Sequence, residues 1–150
     1  MKFVTYRKTI EGDARLGVIQ DDLVVDVADL GDAIGEDFPG TMLDMIDAGR
    51  VGLAELGSTL EDLAGSFPIN TTTALVNVKL LAPIPRPRKN IFGIGLNYVE
   101  HVEESAKALD TSKDLPKEPV VFSKPPTAVI GPDDAIQHNA KMTKQLDWEV

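Results

Sequence analysis

Between positions 82 and 88 the chain reads Ala-Pro-Ile-Pro-Arg-Pro-Arg. Three prolines at alternate positions allow neither a helix nor a central strand, because each lacks the N–H that a ladder or a helical turn needs. The segment is extended and stiff, better suited as a spacer between folded units than as a ligand for a proline-recognising domain. It divides the 150 residues into a small N-terminal domain over 1–82, a linker over 83–89 and a second domain from 90 to 150. A chain of this length can bury a real core.

Composition excludes several classes of function. There is no cysteine, so disulfides, thiolate zinc sites and a cysteine nucleophile are ruled out. A formal charge of -9 would repel a phosphate backbone and argues against nucleic acid as partner; it reads as solubility. No apolar run approaches the ~20 residues of a membrane span. The first eight residues alternate like a strand and carry no signal-peptide core, so a cytoplasmic protein is expected.

Residues 3–8 alternate in polarity, Ala14 to Ile19 and Leu23 to Val27 follow across short polar turns, and together they predict an antiparallel meander. Leu30 to Pro39, rich in Gly and Asp, reads as an irregular loop. Thr41 has the character of an N-cap, with Met42, Leu43, Met45 and Ile46 as an apolar face and Gly49 as the stop. Ser58 and Glu61 have capping-box spacing for a short helix through Leu63, stopped by Gly65. Val76, Val78 and Leu80 alternate as a further strand. Nothing in this front portion carries chemistry.

The second portion opens with Ile91-Phe-Gly-Ile-Gly95, an apolar strand whose glycines suit close backbone approach. Asn97 and Glu100 have the spacing of a capping box, and Tyr98, Val102, Ser105 or Ala106, and Leu109 repeat at helical spacing toward a core. His101 and Glu104 fall about 60° apart around the helix axis. Such a pair is either a proton shuttle, the carboxylate fixing the imidazole tautomer, or a solvated surface contact. The glycines lack the third member of a dinucleotide fingerprint. Lys124 ends a strand over 118–124, and His138 reads as a surface histidine. In Leu146-Asp-Trp-Glu-Val150, Asp147 and Glu149 share one strand face, either solvated or neutralised by an oxygen-preferring cation such as Mg²⁺, Mn²⁺ or Ca²⁺.

Three stretches taken together, 95–104 (Gly-Leu-Asn-Tyr-Val-Glu-His-Val-Glu-Glu), 119–131 (Pro-Val-Val-Phe-Ser-Lys-Pro-Pro-Thr-Ala-Val-Ile-Gly) and 145–150 (Gln-Leu-Asp-Trp-Glu-Val), resemble the fumarylacetoacetate hydrolase family. The resemblance is to the bacterial branch of acylpyruvate hydrolases, oxaloacetate decarboxylases and hydroxyheptadienedioate isomerases. It covers the second half of the chain; the first half resembles the small N-terminal domain of that branch only weakly. The resemblance implies an α+β, mostly β protein: a small N-terminal α+β domain followed by the start of a mixed, rolled β-sandwich catalytic domain. It implies a divalent metal, commonly Mg²⁺ or Mn²⁺, and a homodimer. His101 becomes the general base, Glu104 its dyad partner, Glu149 the first glutamate of the Glu-x-Glu metal motif and Lys124 a substrate contact. Asp147 matches no usual ligand position.

The resemblance further implies an enzyme acting on a small 2-oxo or enol (di)carboxylate. It would cleave a carbon–carbon bond by hydrolysis or decarboxylation, or act as an isomerase or tautomerase of a hydroxydienedioate in aromatic degradation. A carboxylate-bound metal would chelate the 2-oxo acid and polarise its carbonyl. The motif's second glutamate would stand just after Val150. The chain is therefore expected to be the front part of a longer enzyme, with an inactive fragment or binding module as the reading from another class.

Overall fold

The structure is a computed structural model that describes residues 1–109, 114–144 and 146. The described residues form an α+β protein with seven strands and three α-helices. They pack as two compact units, one of residues 1–83 with 130–150 and the other of residues 84–129.

The first unit is built on the expected meander. Strands β1 (Lys2–Arg7), β2 (Arg15–Gln20) and β3 (Leu23–Asp26) pair antiparallel in sequence order. Two short strands, β4 (Thr72–Ala74) and β5 (Lys79–Leu80), then add to the edges, giving the order β4-β3-β2-β1-β5. The continuous strand expected over 76–80 is instead a single 3-10 turn at Leu75–Asn77 followed by β5.

Leu30 to Pro39 is not a loop throughout. Helix α1 (Val27–Ile34) starts directly from β3, with Asp26 as N-cap, and ends at Gly35 in the left-handed conformation. Its glycine content misleads because Gly31 is a packing residue. A Cβ there would lie 2.5 Å from the Glu36 carbonyl oxygen, where the chain turns back over the helix.

Helix α2 (Met42–Leu63) begins as expected, with the Thr41 hydroxyl accepting from the Asp44 N–H at 3.2 Å. Gly49 breaks it with φ 60° and ψ -142°, but the helix resumes at once instead of waiting for Ser58. One apolar core ties sheet to helices: Leu16, Val18 and Val25 from the strands, Val27 and Leu30 from α1, Met45, Leu56 and Leu60 from α2. Met45 is the core filler its composition suggested, and Met42 packs at the margin.

The second unit holds β6 (Ile91–Gly95), α3 (Val99–Leu109) and β7 (Val120–Lys124). Strands β6 and β7 form an antiparallel ribbon in which Ile91 faces Lys124 and Gly95 faces Val120. Residues 81–90 form neither helix nor strand, as the prolines require.

Candidate active site

Strand β6 delivers the chain to α3 through a tight corner. Leu96 takes φ 51°, a left-handed conformation that costs a residue with a Cβ roughly 1–2 kcal/mol. The Tyr98 carbonyl accepts the Val102 N–H at 3.2 Å. The residue in the capping position is thus Tyr98, and Asn97 precedes it by one. Val102 and Ala106 are buried as the periodicity requires, whereas Tyr98 stands 57% exposed and does not join a core.

His101 sits in the first turn of α3, half-buried, and its Nδ1 is buried without a hydrogen-bond partner among the described residues. The Tyr98 ring lies beside the imidazole, centroids 5.2 Å apart and planes tilted by 35°. Glu104 is exposed and lines an open depression with Glu100, Glu103 and Lys107. No hydrogen bond joins His101 to Glu104 among the described residues.

The unpartnered nitrogen has a chemical consequence. If Nε2 is to accept a proton, the neutral ring must carry its own proton on Nδ1, where a buried N–H without an acceptor costs roughly 1–3 kcal/mol. Glu104, three residues on along α3, is the carboxylate that helical spacing places on an adjacent stripe.

Lys124 lies elsewhere on the ribbon. It pairs with Ile91, four residues from Gly95, so about 13 Å of strand separates it from the point where the chain leaves for α3. Its ammonium stands 5.5 Å from the centre of the Phe122 ring. That ring covers Gly93, where a Cβ would meet it at 2.5 Å, so Gly93 answers to close packing; at Gly95 a Cβ would make only ordinary contacts. His138 is exposed, with Nε2 at 2.9 Å from the Thr143 carbonyl oxygen. Asp147 and Glu149 lie outside the described residues.

Residues 90–150 match the family described as fumarylacetoacetate (FAA) hydrolase C-terminal. This part of the chain is similar to that family. The chain is 38% identical over 120 residues to the oxaloacetate tautomerase YisK of Bacillus subtilis, covering 76% of this chain and 37% of that protein. It is 32% identical over 112 residues to the human mitochondrial oxaloacetate tautomerase FAHD2A, covering 75% and 31%. A fumarylacetoacetate hydrolase domain-containing protein 2 homolog of Dictyostelium discoideum is 30% identical across all of this chain and 44% of its own length. Among solved structures, maleylpyruvate hydrolase from Sphingobium sp. SYK-6, crystallised with manganese(II) and pyruvate, shares the fold. Its TM-score is 0.54 at 23% identity, over 91% of this chain and 41% of that one. The chain spans less than half the length of these relatives.

A cluster in the first unit had no counterpart in the sequence reading. Asp26, buried at the end of β3, accepts from the Tyr6 hydroxyl, from Arg15 Nε, from Arg15 Nη2 at 2.7 Å and from the Asp29 N–H at 2.9 Å. Asp29 in turn pairs with Arg15 and Lys8. Burial disfavours the Asp26 charge, but Arg15, the Asp29 N–H and Tyr6 outweigh it and hold the carboxyl below its ordinary range. Burial and the Asp26 hydrogen bond push the Tyr6 phenol up, keeping it a donor. The signal available in the sequence was an Asp with a second Asp three residues on, ahead of an apolar run.

Proposed function

We propose that the full-length protein is an enzyme moving a proton on a small 2-oxo or enol carboxylate, with His101 as general base and Glu104 as its dyad partner. The domain organisation is small domain 1–82, linker 83–89 and catalytic domain from 90. The observation that carries the reading is the buried Nδ1 of His101 in the first turn of α3, unpartnered among the described residues and one helical step from a carboxylate. With Glu104 accepting from Nδ1–H, Nε2 is free to take a proton from the carbon beside the 2-oxo carbonyl. The same proton then returns to the carbonyl oxygen, converting ketone to enol, and the reverse sequence converts enol to ketone.

The oxaloacetate tautomerase names of the relatives favour tautomerisation as the overall reaction. Hydrolytic or decarboxylative cleavage of a carbon–carbon bond is the second reading; it uses the same base to activate water or move the substrate proton. Lys124 is offered as a substrate contact. A divalent ion, Mg²⁺ or Mn²⁺, with Glu149 as one ligand, belongs to the proposal and is supported by the manganese in maleylpyruvate hydrolase. When bound it would supply Lewis-acid polarisation of the 2-oxo carbonyl. The described residues do not hold it by themselves, since no three His, Asp or Glu side chains converge among them.

A homodimer in the cytoplasm completes the reading; no described helix is long and apolar enough to cross a membrane.

The test is turnover by the full-length protein with Mg²⁺ or Mn²⁺. Enol absorbance of oxaloacetate should decay faster than in buffer, and His101→Asn should lower the enzymatic rate by roughly 10²–10⁴-fold. No turnover of oxaloacetate, of an acylpyruvate or of a hydroxydienedioate would overturn the enzyme reading. Cleavage of an acylpyruvate without accelerated enol decay would favour the second reading.

A further inference from the structure

We infer that Tyr98 is a positioning residue for the His101 imidazole. The inference rests on His101 being the base. Tyr98 sits at the capping position of α3, so its backbone is fixed by the helix it starts, and the left-handed turn at Leu96 sets the direction from which it enters. Three residues on, His101 lies on the same side of the helix, and the two rings meet at 5.2 Å with a 35° tilt. An aromatic side chain that is 57% exposed on a helix carrying its own buried residues, Val102 and Ala106, is not holding a core together. The ring it lies beside is the imidazole.

The bond about which an imidazole swings is soft, with broad wells. For a histidine whose Nδ1 has no hydrogen-bond partner among the described residues, the neighbouring ring is a contact that can select among ring orientations. The Tyr98 ring narrows that choice before substrate arrives, and the benefit appears in the chemical step. The aromatic face performs this role, so phenylalanine should replace tyrosine.

The experiment compares Tyr98→Phe, Tyr98→Ala and His101→Asn in the full-length protein, with kinetics and with the His101 ring signals read by NMR. Tyr98→Phe should keep kcat within about twofold and leave the ring signals near their native positions. Tyr98→Ala should lower kcat roughly two- to tenfold at unchanged KM, the range that loss of one aromatic pair implies, and shift the ring signals as the aromatic ring current is lost. A Tyr98→Ala variant with native kcat and native ring signals overturns the inference; so does Tyr98→Phe losing as much as Tyr98→Ala, which would give the role to the hydroxyl. Survival of turnover in His101→Asn would overturn the base reading itself. The ring signals in the Ala and Phe variants would then decide alone whether Tyr98 orients His101.

Discussion

Asp26 is a buried carboxylate on which several elements of the first unit converge. It ends β3, caps α1 and gathers Tyr6 from β1 and Arg15 from β2, so one carboxylate joins three strands to a helix. Removing its charge while keeping its shape, as in Asp26→Asn, should cost roughly 3 kcal/mol, because charge-assisted bonds in a buried setting are lost together. The pH dependence has a definite sign. Arg15, the Asp29 N–H and Tyr6 hold the folded pKa below the unfolded value near ~3.9. Stability from Asp26 is therefore present above about pH 4 and lost as pH falls through the folded value. Urea midpoints should separate native protein from Asp26→Asn most at pH 6 and converge below pH 4. A gap that stays constant down to pH 3 would remove the carboxylate from the explanation.

Among the elements, strands were the more legible in the sequence, because short runs of β-favouring residues between polar turns mark them; β1, β2 and β3 fall where those runs predict, within a residue. Helix α1 was hidden by Gly31, whose small size serves packing yet reads as a loop signal. Gly49 was legible as a break and illegible as a continuation, since the sequence cannot say that a residue in an open, glycine-only conformation will be followed by more helix. Nothing lies within 4 Å of a Cβ built at Gly49, so space does not forbid a side chain; the backbone does. Gly49→Ala should lower stability by roughly 1–3 kcal/mol, visible as a lower Tm with an unchanged denaturant slope. Loss of less than a few tenths would mean the kink relaxes into regular helix. In the second unit, the His101 and Glu104 spacing was visible, but their side-chain orientation was not. Which way an imidazole turns depends on Tyr98 and on burial, and residue spacing along a helix constrains neither.

At the scale of the whole molecule the chain spans 37% of the length of the Bacillus tautomerase and 44% of that of the Dictyostelium relative. The small sheet unit has its own core and its own buried charge network, while the proposed dyad sits in the other unit on a helix entered from the ribbon. The division of labour proposed for the site can be separated experimentally, because the proposed base and the proposed metal ligand are different side chains. Chelation of the full-length protein should abolish turnover, and Mg²⁺ or Mn²⁺ should restore it. Glu149→Gln should raise the metal concentration needed for half-maximal activity by roughly 10–100-fold or more, as loss of a ligand's support does at metal sites. His101→Asn should bind the ion as the native protein does, by calorimetry, while losing turnover. A His101→Asn protein that no longer binds metal would make His101 a ligand. The proton would then have to be moved by another group, and Glu104 would be the first carboxylate to test.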